Sequence, residues 1–460
     1  MRQELSSREQ WSSKLGFVLA AVGSAVGLGN LWGFAYRSSE GGGAAFVILY
    51  LLVVLVVCLP IFVAEFSLGR NTSSSAFLAP IKAAGSNWAP LGWLFIIAPV
   101  AIASYYAVIM GWTLDIFVQS LFVGLPDDID QASKIFSSIN NGNRDFIGQI
   151  FSLLLGGFIV SGGINKGIEK INKICMPILF ILLVFLVIWA AFLDKSGEGY
   201  SNYLFNFDIK QLTNITTIRY AFSQAFFSLS LGIGIMVTYA SYLNKKSKLP
   251  SQAIQIASLD TVVGLMAGLI TFPIIFTFGL GETIKSSTLA TLFITIPTGL
   301  GQYGLAGRII AIAFFGLAYI AAITSLISLL EIPVSTLIDK FGLKRNFSAY
   351  ATVFIIFLIG IPSVISTEFL ANVDSLANIL LIAGGFLVSF LIGWVVPKTL
   401  DIELTNSGSS PLVKTYLKFS LKYVTPIIVA AGLIVSIYDL LIKWTNSCLL
   451  YTSPSPRDSD

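Results

Sequence analysis

AVGSAVGLGNLWGF, residues Ala21 to Phe34, lies inside an apolar run from Leu15 to Tyr36. The run is long enough to cross a bilayer, for which about 20 residues suffice. Its middle is poor helix: Gly23, Gly27 and Gly29 each cost about 1 kcal/mol relative to alanine. Asn30 adds a polar amide at membrane depth, where an unsatisfied group is expensive. Two penalties accepted in one place predict that the backbone opens there, freeing carbonyl and N–H groups for an ion or a polar solute. Glycine spacing alone fits a helix face packed tightly on a neighbour equally well.

A second stretch, QAFFSLSLGIGIM from Gln224 to Met236, repeats the pattern. It is apolar, broken by Gly232 and Gly234, and carries the hydroxyls of Ser228 and Ser230. Two interrupted spans in corresponding positions of two halves point to a transport site near the membrane midplane, a rule drawn partly from the fold this chain comes to resemble.

Of the 460 residues, 55% are hydrophobic and 11% charged, and the mean hydropathy is +0.83. This is the composition of a polytopic, all-α membrane protein. About eleven spans are expected, at 13–36, 42–68, 89–123, 148–162, 168–193, 216–243, 253–280, 305–338, 348–365, 374–396 and 417–443. The longest connectors run from Pro126 to Arg144 and from Asp194 to Thr213, and a shorter one with helical character runs from Glu282 to Tyr303. Cys58, Cys175 and Cys448 are scattered, so neither a disulfide framework nor a metal cluster is suggested. Histidine is absent, which removes imidazole acid–base chemistry, and the intramembrane polar residues form no nucleophile–base pair; no enzyme is expected.

The net charge of +4 is read as topology rather than as affinity for nucleic acid. With the N-terminus inside, 18 of the 28 Lys and Arg fall on the cytoplasmic side, while Asp127, Asp128 and Asp130 fall outside. A multi-pass protein of a prokaryotic plasma (inner) membrane with a cytoplasmic N-terminus is therefore expected. The N-terminal MRQELSSREQ is polar and carries no cleavable signal pattern. The last residues, Cys448 to Asp460 (CLLYTSPSPRDSD), resemble translated sequencing adapter and are set apart as a non-native tail. The transporter domain is then 1–447, with five-helix repeats at 13–193 and 216–396 and an extra helix at 417–443; a twelfth helix and the oligomeric state are not legible.

REQW at Arg8 to Trp11, followed by SSKLGFVLAAVGSAVGLGN, resembles the first helix of the neurotransmitter:sodium symporter family. The likeness continues through EGGGAAF (Glu40 to Phe46), Tyr105–Tyr106, QAFFSLSLGIG, YASY (Tyr239 to Tyr242) and AAITSLISLLEIP (Ala321 to Pro333) to Asp374. The resemblance implies a LeuT-like fold, five plus five helices in inverted repeat with the first and sixth unwound around the substrate. It implies a first sodium site from the Ala25 carbonyl, Asn30, Ser228 and Asp260, completed by a substrate carboxylate. A second would use the Gly23, Val26 and Ala321 carbonyls with the Thr324 and Ser325 hydroxyls. Oxygen ligands of this kind suit a hard cation, although Thr324 and Ser325 taken alone fit hydroxyls bonding back to their own helix. Asp260 is an acid inside an apolar helix and so a functional position by default. It is expected to supply the negative charge that animal relatives draw from chloride, whereas Gly264, often Ser or Glu in relatives, cannot; chloride is not expected to be required.

The implied substrate pocket comprises Ser24, Ala25, Gly27, Leu28, Gly29, Ile102, Tyr106, Phe227, Ser228, Ser230, Ile233, Ser325 and Leu329. Tyr106 would donate to a substrate carboxylate. Gly27 stands where amine-transporting relatives carry Asp, which favours an amino acid over a monoamine, and the apolar walls suggest a neutral, hydrophobic one. Phe227, Ile233 and Leu329 taken singly also read as ordinary core. Arg8, Asp339 and Tyr242 match the inner gate, with Trp11 packing nearby. On the outside the sequence departs from the family: the usual W-R-F-P reads Trp32, Gly33, Phe34, Ala35, while the acidic partner Asp374 remains. Arg37, one helical turn on, is a candidate substitute. The departure leaves open a differently closed gate, a substrate with its own cation near Asp374, or a binding sensor with little transport. Gly167 and Pro177, nine residues apart, match a family pattern for unwinding of the fifth helix.

The expectation is a sodium-coupled symporter working by alternating access in the bilayer, with Thr324 and Ser325 arguing against a proton-coupled relative.

Overall fold

The computed structural model describes residues 9–140, 143–279, 289 and 291–452. Among them, nine helices are long and apolar enough to cross a membrane, and the pair Lys14–Ala25 and Gly29–Glu40, bent by 63°, forms a further span. The expected sixth span is two shorter pieces, Ile215–Ser228 and Ile235–Ala240. The eleven segments of the sequence reading are thus all helical. Several begin earlier than expected: the tenth starts at Thr367, where the Ser366 hydroxyl accepts from the N–H of Phe369 at 3.1 Å, and the eleventh starts at Pro411. Cap residues placed these starts, and hydropathy windows do not weigh caps. The first long connector holds its own helix, Ile129–Ile139, capped by Asp128. In the third, residues 291–301 are helical, while 280–288 lie outside the described residues. The last helix runs on through Thr452, and the remainder of the tail, 453–460, lies outside the described residues.

The first span packs on the fifth, seventh and eighth spans (Ile164–Ala191, Leu249–Phe278 and Gly304–Phe341), which seats its break in the middle of the bundle. That break falls at Val26, whose ψ of 102° leaves the helical region. Gly23 does not open the backbone as expected. It lies within the helix, and a Cβ there would meet the Asn172 amide and stand 2.9 Å from the Met176 sulfur, so its role is to admit the fifth span.

The sixth span unwinds because three residues in five take left-handed backbone: Ser230 (φ 52°), Gly232 (φ 80°) and Gly234 (φ 82°). Ser230 pays the non-glycine cost of about 1–3 kcal/mol, and its hydroxyl holds it there by donating to the Ser24 carbonyl of the first span at 3.0 Å. The two breaks therefore brace one another. At Gly232 a Cβ would run into the Leu381 carbonyl of the tenth span.

Unwinding leaves the Gly232 N–H without a helical acceptor, and Glu65 of the second span (Ala44–Thr72), fully buried, takes it through Oε1 at 2.6 Å. Glu65→Ala is expected to strand that donor at a cost of about 1–3 kcal/mol, whereas Glu65→Gln keeps an acceptor oxygen. Thermal denaturation of the purified protein should show a lowered midpoint for the alanine variant and a nearly unchanged one for the glutamine variant.

Candidate functional site

Around the first break the residues of the expected first sodium site converge. The Asn30 amide Nδ2 donates to Asp260 Oδ1 and to Ser228 Oγ, both at 2.7 Å, and Ser228 Oγ donates to Asp260 Oδ2 at 2.6 Å. Tyr50 approaches the same carboxylate at 3.4 Å. Asp260 has no exposed surface. In one respect the geometry differs from expectation: Asn30 turns its NH₂, not its oxygen, to the carboxylate, while its Oδ1 accepts from the Gly27 N–H at 3.2 Å. Next to an anion the donor end of an amide is the favourable one; a cation at that point reverses the preference, and a flip of the amide plane supplies the oxygen. Beside this cluster Gly264 lies against the Phe34 ring, 3.0 Å from where its Cβ would be, so an aromatic edge fills the space a side chain there would take.

The second set of residues also converges. The Ser325 hydroxyl lies within 3.2–3.4 Å of four carbonyl oxygens, those of Gly23, Ser24, Val26 and Ala321. A hydroxyl has one proton to give, so such a ring of acceptors is electron-rich and suits a hard cation. Thr324 donates back to its own helix, to Ala321 O at 2.9 Å and Ile320 O at 3.2 Å, the alternative its residue type leaves open. Ser24 is fixed by Ser328, Oγ to Oγ 2.7 Å.

Between the two lies a cavity of about 30 Å³ lined by Ser24, Ala25, Gly27, Ile102, Tyr106, Phe227, Ser230, Ile233, Ser325 and Leu329 of the expected set, together with Asn30. Leu28, Gly29 and Ser228 are held one layer back. The Leu28 N–H donates to the Tyr106 hydroxyl at 3.2 Å, and the Gly29 carbonyl accepts from Gln224 at 3.3 Å. Ile235 and Leu381 complete the lining and were not anticipated. Gly27 is a close approach: a Cβ there would stand 2.8 Å from Ser325 Oγ and 3.0 Å from the Tyr106 hydroxyl.

Below the cavity, Trp11 donates from its indole to the Tyr239 carbonyl at 2.9 Å, edge-on to Phe17, Tyr239 and Tyr242. Arg8 lies outside the described residues. Asp339 accepts from the Ser75 N–H at 2.7 Å. The Tyr242 hydroxyl donates to buried Glu331 at 2.8 Å, and Arg345 pairs with that carboxylate at 2.7 Å, an inner ion pair outside the expected set. The segment after Trp11 is strapped to the fifth span: Glu169 accepts from the Ser12 N–H at 2.8 Å and pairs with Lys173 at 2.7 Å. Gly167 lies there, in a π-helical turn over Ile164–Glu169, a wide geometry that often marks functional positions.

Above the cavity, Asp374 accepts from the Tyr105 hydroxyl at 2.7 Å. Arg37 and Asp374 line one cavity of about 140 Å³. The Arg37 guanidinium bonds Gln224 and lies 6.0 Å over the Phe227 ring. A Cβ on Gly33 would stand 3.8 Å from Arg37 Nη1, so the guanidinium reaches the place beside position 33 from one turn away.

Two broken helices enclosing a cavity, with clusters of buried oxygen atoms beside it, are the arrangement of a secondary transporter. The chain belongs to the sodium:neurotransmitter symporter family, whose model matches residues 8–144 and 129–453. It is 35% identical over 446 residues to an uncharacterized sodium-dependent transporter of Methanocaldococcus jannaschii, covering 92% of this chain and 89% of that one. To the uncharacterized sodium-dependent transporter YhdH of Bacillus subtilis it is 33% identical over 442 residues, covering 91% and 95%. Among solved structures, MhsT in complex with L-phenylalanine superimposes with a TM-score of 0.85 at 35% identity, covering 93% of this chain and all of that one. The chain is therefore a multi-pass, sodium-coupled transporter of LeuT-like fold, with unwound first and sixth helices, and not an enzyme.

Proposed function

We propose that the protein takes up a neutral, hydrophobic amino acid by alternating access, with two sodium ions as co-substrates and no need for chloride. Spans one to five and six to ten, 13–193 and 216–396, form its two repeats. It lies in a prokaryotic plasma membrane with a cytoplasmic N-terminus, so inward sodium movement is favoured by about 2.3 kcal/mol per charge per 100 mV. The observation that carries the substrate class is the close approach at Gly27. Ser325 and Tyr106 leave no space for the acidic side chain an amine would need, while Tyr106 and the exposed backbone of the break offer hydrogen bonds to a carboxylate. Around them Ile102, Phe227, Ile233 and Leu329 make apolar walls. The complex of MhsT with L-phenylalanine supports the same class.

In this reading the substrate carboxylate and Asp260 share the first sodium, so neither solute is well held alone. The carbonyls around Ser325 hold the second and tie the first span to the eighth. Arg37 serves as the outer-gate cation in place of an arginine at Gly33, which argues against a cationic substrate at Asp374. Trp11, Asp339, Tyr242 and Glu331 close the inner side.

Proteoliposomes with an inward sodium gradient should accumulate a labelled hydrophobic amino acid, and replacing chloride by gluconate should leave the rate unchanged. A sensor would bind the solute without concentrating it, and uptake lost in gluconate would refute the role given to Asp260.

A further inference from the structure

An apolar cavity lies away from the substrate path. It is a groove of about 480 Å³ between the third, eighth and ninth spans (Ser86–Phe122, Gly304–Phe341 and Arg345–Ile365). Its floor is Pro333 and Ile356, both buried, and its rim is formed by Trp93, Ile97 and Ile355, each about half exposed. In a membrane protein that rim faces the hydrocarbon, so the groove opens sideways into the bilayer and not toward water.

Its end is not apolar. The Lys340 ammonium stands over three rings, 4.3 Å from the centroid of Phe77, 5.5 Å from Trp93 and 5.4 Å from Phe341. Aromatic faces attract a cation without neutralising it, so the cage fixes a positive charge at the groove's mouth and leaves it able to take an anion. Lys344, in the turn joining the two spans, adds a second positive charge nearby in the chain. Trp93 and the lysine mark the depth at which headgroups lie.

We propose that this groove binds an anionic phospholipid of the leaflet facing Lys340, with an acyl chain along Ile97, Ile355 and Ile359 and the phosphate on the Lys340 ammonium. The orientation proposed above makes that leaflet the cytoplasmic one, where anionic headgroups and basic side chains meet. The site reaches the inner gate through two short links. Lys340 follows Asp339 in the chain, and Phe77 lies two residues after Ser75, whose N–H Asp339 holds at 2.7 Å. A headgroup on Lys340 therefore tightens the turn that carries the gating acid, and the lipid acts on inward opening.

The test is lipid retention by the detergent-purified full chain, read by native mass spectrometry against equal amounts of dioleoyl phosphatidylglycerol and dioleoyl phosphatidylcholine. Phosphatidylglycerol should be preferred, and Lys340→Gln should lower its retention by about fivefold, the effect of one basic side chain at an anionic lipid surface. Ile97→Trp, which narrows the groove and keeps the lysine, should lower retention of both lipids. Equal retention of the two lipids, or a preference untouched by Lys340→Gln, overturns the proposal. Displacement of the lipid by inorganic phosphate alone overturns it too, since the site would then be one for a free anion. The measurement in detergent does not depend on orientation or substrate, so it fails or succeeds separately from the transport reading.

Discussion

Asp260→Ala is expected to weaken sodium binding at the first site by at least about 100-fold and to abolish sodium-driven uptake. The carboxylate is fully buried and is the one charged side chain of its hydrogen-bonded cluster with Asn30, Ser228 and Tyr50. A cation about 4 Å from a buried carboxylate gains about 4 kcal/mol at an effective dielectric near 20. Losing two-thirds of that already corresponds to about two decades of affinity. Asp260→Asn removes the charge while keeping the shape of the side chain and one of the two oxygens that accept from Asn30 and Ser228. Its sodium affinity should also fall, and uptake should now rise with chloride, which restores an anion near the ion. Sodium titrations of uptake in chloride and in gluconate check both points. An asparagine variant indistinguishable from wild type in both salts would show that the charge is not used.

Gly27→Asp is the second large effect. Its Cβ would already stand 2.8 Å from Ser325 Oγ and 3.0 Å from the Tyr106 hydroxyl. Ser325 cannot swing aside cheaply, being ringed by the carbonyls of Gly23, Ser24, Val26 and Ala321. Overpacking of this kind costs about 1–3 kcal/mol, and the new carboxylate repels that of an amino acid. Amino-acid affinity should fall by more than about 100-fold, while Gly27→Ala, with the steric part alone, should lose about tenfold. Equilibrium binding of labelled amino acid at saturating sodium measures both. An aspartate variant that still binds amino acids as wild type does would remove the basis for placing the carboxylate beside Gly27.

Much of this was legible in the chain because the fold spends helix stability in two places. Gly27 with Asn30, and Gly232 with Gly234, are costs an ordinary span would not accept; the first break falls at Val26, next to Gly27, and the second at Gly232 and Gly234 with Ser230. Asp260 was legible for the same reason, as a charge inside an apolar helix. Gly23 misled because a glycine that permits a close neighbour and one that frees the backbone look alike without the neighbour; here the neighbour is Asn172, on another span. Glu65, Gln224 and Glu331 were missed although each is polar in an apolar run. Their partners, Gly232, Arg37 and Arg345, lie on other helices or beyond a helix end, and nothing in local periodicity joins them. Arg37 was within reach because the gap at Gly33 and its replacement are one turn apart.

The direct test of sodium-coupled recognition is binding of each of the 20 amino acids to the detergent-purified protein, with and without sodium, read by thermal shift. Stabilisation by neutral hydrophobic amino acids only when sodium is present is the predicted result. Stabilisation that is the same without sodium would contradict the coupling, and stabilisation by cationic solutes alone would contradict the site built around Gly27.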